Sequence, residues 1–261
     1  METCPVLVRT VKEKLKVPSF VVGIGGGSGS GKTTLARALA ERFRGSGVCL
    51  MDQDSYYLDR SHLNEKQRRS LNYDEPSALD HNLILCHLQT LRMGKAVEKP
   101  YYDFHTHTRN SGFQLVQPGT LIILEGLYAF WDPRVAALMG LKVYVDAEPA
   151  VRFIRRLRRD VVDRGRSMES TIAQYLETVR PMQKFFIEPT KLLADLVVNT
   201  SESFARPTAE LIRAVSERRA LARGRAGIRA EGGKERAARQ GANSIGSPWG
   251  TSKRSNVNSR G

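Results

Sequence analysis

The chain has no uninterrupted apolar run near the roughly 18 residues that a membrane-spanning helix needs, which excludes a helical membrane span. The stretch Met1–Lys16 scatters charge among its apolar residues and shows no signal-peptide core. Cysteine is scarce. Cys4, Cys49 and Cys86 are odd in number and lack metal-type spacing, which fits a reducing cytoplasm and argues against a disulfide framework. Acid is in deficit, with 27 Asp+Glu against 41 Lys+Arg, a formal charge of +14. Apolar content is not lacking: 41% hydrophobic and 26% charged residues exclude a wholly disordered chain of 261 residues.

A charge of +14 invites a nucleic-acid partner, so its location matters. From Arg218 to Gly261 there are 11 basic and 2 acidic residues, a net +9, and from Arg152 to Arg166 there are 7 Arg and 2 Asp, a net +5. The remainder is balanced. The last 42 residues, 220–261, are rich in Gly, Ser, Asn and Arg with isolated apolar residues only. Such a segment buries too little to offset its ordering entropy, so a basic, disordered tail is expected, with a short helix allowed over Glu231–Gln240. Residues 1–18 form an N-terminal extension and 19–219 the folded domain.

Within 19–219, short β-rich runs alternate with helical patterns and no internal repeat occurs. Strands are expected at Ser19–Ile24, Val48–Met51, Leu121–Leu124, Lys142–Val145 and Leu196–Val198. Helices are expected at Thr33–Arg44, Asn82–Met93, Glu148–Asp163, Ser167–Ile187 and Ala205–Arg219. Alternation of this kind implies an α/β fold with a parallel sheet covered on both faces. Val97–Tyr102 and Phe113–Val116 read as a small antiparallel insertion.

Gly26-Gly27-Ser28-Gly29-Ser30-Gly31-Lys32-Thr33 matches G-x-x-x-x-G-K-[ST] between a predicted strand and a predicted helix. Glycines let successive N–H groups face one anion at the positive end of the helix. Lys32 then reaches the β- and γ-phosphates, and the Thr33 hydroxyl serves Mg²⁺. The pattern marks nucleoside triphosphate binding without separating kinase from GTPase, ATPase or motor. Glu125 ends a buried strand at the crevice side of such a sheet, where it can serve Mg²⁺ directly or through water. Asp52 and Asp54 follow the second strand, and a hydroxyl-directed kinase needs one carboxylate there. Asp54 is the candidate and Asp52 its rival, since strand alternation puts both on one side. No base-reading or switch motif of a GTPase is present.

The motifs GGSGSGKTT, QDSYY, NYDEPSALD, PYYDFHTHTR, LEG, RRLRRDVVDRGR and AQYLETVRPMQKFFIEPTKLLAD, in this order, closely resemble the bacterial uridine kinase (uridine-cytidine kinase) family over about residues 19–200. The resemblance implies a P-loop NTPase three-layer sandwich, with a mostly parallel sheet of about five strands, a β-hairpin insertion and an Arg-rich lid over about 152–170. It implies transfer of a phosphoryl group from ATP or GTP, with Mg²⁺, to the 5′-hydroxyl of uridine and of cytidine. Asp54 then serves as base and metal neighbour, and Tyr57, Tyr73, Asp74, Tyr102, Phe104, His107, Arg156 and Gln174 contact the nucleoside. Asp74 accepts from the ribose hydroxyls. Lys32 and Arg159 meet the transferring group, and Thr34, Arg164 and Arg166 join the phosphate-binding set.

The resemblance also implies a cytoplasmic homotetramer, with small molecules as partners and nucleic acid disfavoured. Related kinases of a sugar phosphate or of pantothenate, and a polyanion binder acting through the tail, are the alternatives. The chain departs from the family pattern at Glu75, where histidine is usual, and at Asn199-Thr200-Ser201, where Pro-Arg-Gly is usual.

Overall fold

Apolar runs that are buried on both faces make the central strands. In the computed structural model, which describes residues 19–242 and side chains as far as residue 224, β1 (Phe20–Gly25) and β5 (Leu121–Glu125) are built almost wholly of such residues. Together with β2 (Val48–Asp52), β6 (Leu141–Asp146) and β7 (Leu196–Asn199) they form a parallel sheet in the order β2-β5-β1-β6-β7. Val22 pairs with Ile123 on one side and Leu141 on the other, which puts β1 at the centre. All five carboxyl ends lie on one edge, where Gly25, Asp52 and Glu125 meet. The N-terminal extension expected over 1–18 lies outside the described residues.

Two cores flank the sheet, as doubly covered parallel strands require. Ile24, Leu35, Leu39, Val143, Leu211 and Val215 fill one side. Met51, Tyr56, Ile84, Leu88, Leu124 and Phe130 fill the other. The helices are α1 (Lys32–Arg42), α2 (Glu65–Arg69), α3 (His81–Arg92), α4 (Pro133–Ala136), α5 (Pro149–Val162), α6 (Met168–Gln174), α7 (Arg180–Met182) and α8 (Ala205–Ala242). Asp80 caps α3 by accepting from the Leu83 amide at 2.9 Å. β3 (Val97–Asp103) and β4 (Thr108–Val116) form the separate antiparallel hairpin, with a register shift between Pro100 and Tyr102.

Two expectations change. The helix expected over Ser167–Ile187 is interrupted: wide π-helical turns at Tyr175–Val179 and Gln183–Ile187 flank α7, around Pro181, which brings no N–H to the ladder. Of the tail expected from residue 220, where a short helix was allowed over Glu231–Gln240, the described part is helical throughout, because α8 continues through Ala242. Ala and Arg, 12 of the 23 residues over 220–242, are strong helix formers, a preference that scarcity of apolar residues does not remove. The compact unit that holds the sheet ends at Ala220, and Leu221 begins a second unit. Cys49 is a buried free thiol. Among the described residues no helix is long and apolar enough to cross a membrane.

Candidate active site

The turn between β1 and α1 shapes the base of a cavity at the carboxyl edge of the sheet. Gly29 adopts φ +77°, and a Cβ there would lie 2.2 Å from the Arg152 carbonyl oxygen, so no side chain fits. Ser28, Lys32 and Thr33 line the cavity. Gly26, Gly27, Gly29, Ser30 and Gly31 complete the turn without lining it, and Thr34 is exposed on α1. The Lys32 ammonium donates to the Gly27 carbonyl at 2.9 Å. Burial lowers its pKa to about 8, although Glu125 and Asp54 draw it upward. Thr33 donates its hydroxyl proton to Glu125 Oε1 at 2.9 Å, and burial pushes the Glu125 carboxyl up against the pull of Lys32.

The two acids after β2 separate here. Asp52 is held by the buried Lys99 ammonium and by the Ser55 hydroxyl. Asp54 lines the cavity, in electrostatic reach of both Lys32 and Glu125. Two oxygen donors, Thr33 and Glu125, with Asp54 beside them, suit a hard cation that keeps water and phosphate ligands. Among the described residues no group of three His, Cys, Asp or Glu side chains could hold a metal by itself.

Opposite the turn, the hairpin and the Leu71–Asp74 segment contribute rings. Tyr57, Tyr102 and Phe104 contact one another with centroids 5.0–6.1 Å apart. Tyr73 stacks on His107 at 4.2 Å, 11° from parallel. His107 has φ 56°, the sole positive value of a non-glycine among the described residues, and its buried Nδ1 has no hydrogen-bond partner there. Burial and Arg166 hold its pKa below the usual histidine range, so the ring is neutral near pH 7. Asp74, 8% exposed, accepts from Thr178 at 2.7 Å and from Gln174 at 3.4 Å. Glu75, the departure beside it, accepts instead from Asn72 at 3.0 Å and Ser77 at 3.2 Å, which ties its charge to the local turn.

Helix α5 and the turn after it form the third wall. Arg156 donates to Ser28 Oγ and to Gln174 Oε1, both at 3.0 Å, and Arg166 reaches the same Gln174 oxygen at 2.6 Å. Arg164 lies over the Phe104 ring at 5.0 Å. Arg156, Arg159 and Arg164 all surround Asp160 at 3.4, 2.9 and 3.5 Å, and Asp160 is fully buried. The sequence reading counted Asp160 only as a charge, although its i+4 relation to Arg156 and Arg164 is visible in the chain. It also passed over Thr178, four residues after Gln174. Arg155 points away from the cavity and donates to the Thr200 carbonyl.

Comparison with known proteins gives the family. The Phosphoribulokinase / Uridine kinase family matches residues 21–204. A uridine kinase of Brevibacillus brevis is 49% identical over 178 residues, 68% of this chain and 83% of that protein. A uridine kinase of Deinococcus deserti is 48% identical over 182 residues, 70% of this chain and 88% of that protein. Among solved structures, a D-glycerate 3-kinase of Cryptococcus neoformans superposes with a TM-score of 0.52 at 17% identity, covering 73% of this chain and 89% of that one, which speaks for the fold alone. With this match over most of the folded unit, the chain belongs to the phosphoribulokinase/uridine kinase family.

Proposed function

We propose that the chain transfers the γ-phosphoryl group of ATP or GTP to the 5′-hydroxyl of uridine, and of cytidine, giving the nucleoside monophosphate. The observation that carries this reading is one cavity wall holding Lys32, Thr33, Glu125 and Asp54 opposite another holding Asp74 and an aromatic enclosure. The aromatic faces suit a flat base, and the unpartnered His107 Nδ1 suits its polar edge. One carboxylate, Asp74, matches two vicinal ribose hydroxyls, pre-aimed by Thr178 and Gln174.

In this reading the substrate O5′ forms a bond to Pγ as the bond from Pγ to the β-bridging oxygen breaks. Asp54 orients the hydroxyl and takes its proton late, while Lys32 and Arg159 follow the charge on the phosphoryl oxygens. Arg164 and Arg166 hold the triphosphate. Guanidinium forks fit charge spread over several oxygens. Thr33 and Glu125 would hold Mg²⁺ together with the triphosphate, and the ion would supply charge neutralisation there. The rings and the α5 wall exclude water that would otherwise compete for the phosphoryl group.

Asp54→Asn keeps the shape and removes the base. We expect UMP formation to fall at least 100-fold, within the range general bases contribute, with ATP affinity measured by titration unchanged. Turnover near the wild-type rate would take Asp54 out of this role.

A further inference from the structure

The segment after β7 meets the phosphate-binding turn at Ser30. Thr200 is fully buried. Its hydroxyl donates to the Ser30 carbonyl at 2.7 Å, across 170 residues of sequence. Its amide donates to the Asp146 carbonyl at 3.0 Å, which anchors the residue to the end of β6. Ser30 is itself fully buried and sits one residue before Gly31.

Two further contacts tie the same residue to the α5 wall. Arg155 donates from Nη2 to the Thr200 carbonyl at 2.8 Å, and its Nη1 lies 3.3 Å from the Thr200 hydroxyl. The Arg155 guanidinium also lies over the Phe204 ring at 5.0 Å. That ring presses on the turn: a Cβ on Gly31 would fall 2.4 Å from Phe204 Cε1. Thr200, Phe204 and Arg155 thus enclose Ser30 and Gly31, the two residues that precede Lys32. Glycine-rich turns lose much conformational freedom on ordering, so a contact that orders one before ligand arrives lowers the cost of binding.

From this enclosure we infer that Thr200 is a positioning residue for nucleotide binding: with Arg155 it holds the Ser30 carbonyl and so presets the phosphate-binding turn and its lysine. It touches neither the acceptor cavity nor the reacting atoms. The inference rests on the reading that this turn binds a nucleoside triphosphate. The Thr200 hydroxyl bridges the turn and α5.

The test is ATP titration with Mg²⁺, without acceptor, on the full chain and on Thr200→Val, Thr200→Ser and Arg155→Lys. Valine keeps the volume and removes the donor. Loss of one hydrogen bond of ordinary worth corresponds to about a fivefold rise in Kd. We expect that rise for Thr200→Val, a return to within about twofold for Thr200→Ser, and a rise of similar size for Arg155→Lys, with the KM for the nucleoside at saturating ATP unchanged in all three. A purely structural Thr200 would lower Tm in the valine variant while leaving Kd for ATP alone, and that result overturns the inference. If Thr200→Val does not fold, Arg155→Lys with unchanged Kd overturns it instead. Because ATP binding is read without acceptor, failure to phosphorylate uridine would count against the proposed acceptor and leave this inference standing.

Discussion

Lys32 makes the phosphate-binding turn sensitive to pH in a window where few other groups titrate. Burial among the turn, Thr33 and the strand ends disfavours its ammonium form and lowers its pKa to about 8, with Glu125 and Asp54 limiting the drop. Triphosphate placed beside it adds negative charge and raises that pKa, so binding takes up a proton wherever the free protein has Lys32 neutral. Below pH 7 Lys32 of the free protein is already protonated and adds no further pH dependence. Above pH 8 only a fraction of molecules carries the charge that binds.

With a pKa of about 8, roughly nine-tenths of the free protein is protonated at pH 7 and one-tenth at pH 9. The apparent Kd for ATP therefore rises about tenfold across those two units, some 1.4 kcal/mol. The triphosphate is itself fully ionised over this range, as a phosphate with pKa near 6 requires. Calorimetric titration at pH 7, 8 and 9 measures the change directly. At pH 8, repeating the titration in two buffers of different ionisation enthalpy should show about half a proton taken up per ATP. Lys32→Met should bind weakly at every pH and take up none. A wild-type Kd that stays constant from pH 7 to 9, with no proton uptake, would refute the assignment of Lys32 to the phosphates.

Two other consequences are open to measurement. Asp160→Asn removes the one carboxylate that three guanidiniums share and leaves their mutual repulsion unopposed. Breaking a buried pair costs about 3–5 kcal/mol, and since Arg159 and Arg164 side chains are 36% and 30% exposed, solvent screening reduces this to about 2–4 kcal/mol. Scanning calorimetry should show Tm lower by about 5–15 °C, and an unchanged Tm would mean the arginines do not depend on Asp160. A chain ending at Ala220 keeps Arg219 on Thr120 at 2.9 Å and over Phe43 at 5.1 Å. It should retain kinase turnover while losing salt-sensitive retention on heparin, and loss of turnover with the fold intact would assign the segment beyond Ala220 a part in the reaction.

The sheet and the phosphate-binding turn were legible because each rests on local pattern. Val21-Val22, Leu121–Leu124 and Val143–Val145 are short apolar runs flanked by turn residues, and Lys32-Thr33 opens a helix directly after glycines. The choice between Asp52 and Asp54 was not legible. Both follow one strand at a spacing of two, and what separates them is Lys99, 47 residues further on, which engages Asp52. The same holds for Thr200 and Ser30, whose contact depends on two distant strand ends arriving at one edge of the sheet. Asp160 lay hidden in plain view, since a run of alternating arginine and aspartate reads equally well as solvated surface. The helix beyond residue 220 was legible only as a short stretch over Glu231–Gln240, because scarcity of apolar residues speaks for disorder while Ala and Arg favour helix.

The central claim is the acceptor, and it is tested most directly by incubating the purified chain with ATP, Mg²⁺ and, separately, uridine, cytidine, adenosine, pantothenate and ribulose 5-phosphate. Phosphorus NMR then identifies which hydroxyl gains phosphate. The cavity of Asp74, Tyr73, Tyr102, Phe104 and His107 predicts 5′-monophosphate from uridine and cytidine, with the other three acceptors at least 100-fold poorer in kcat/KM, as a site whose polar groups are left unpaired discriminates. Preferential phosphorylation of ribulose 5-phosphate or pantothenate would contradict the reading of those rings as a base-binding enclosure.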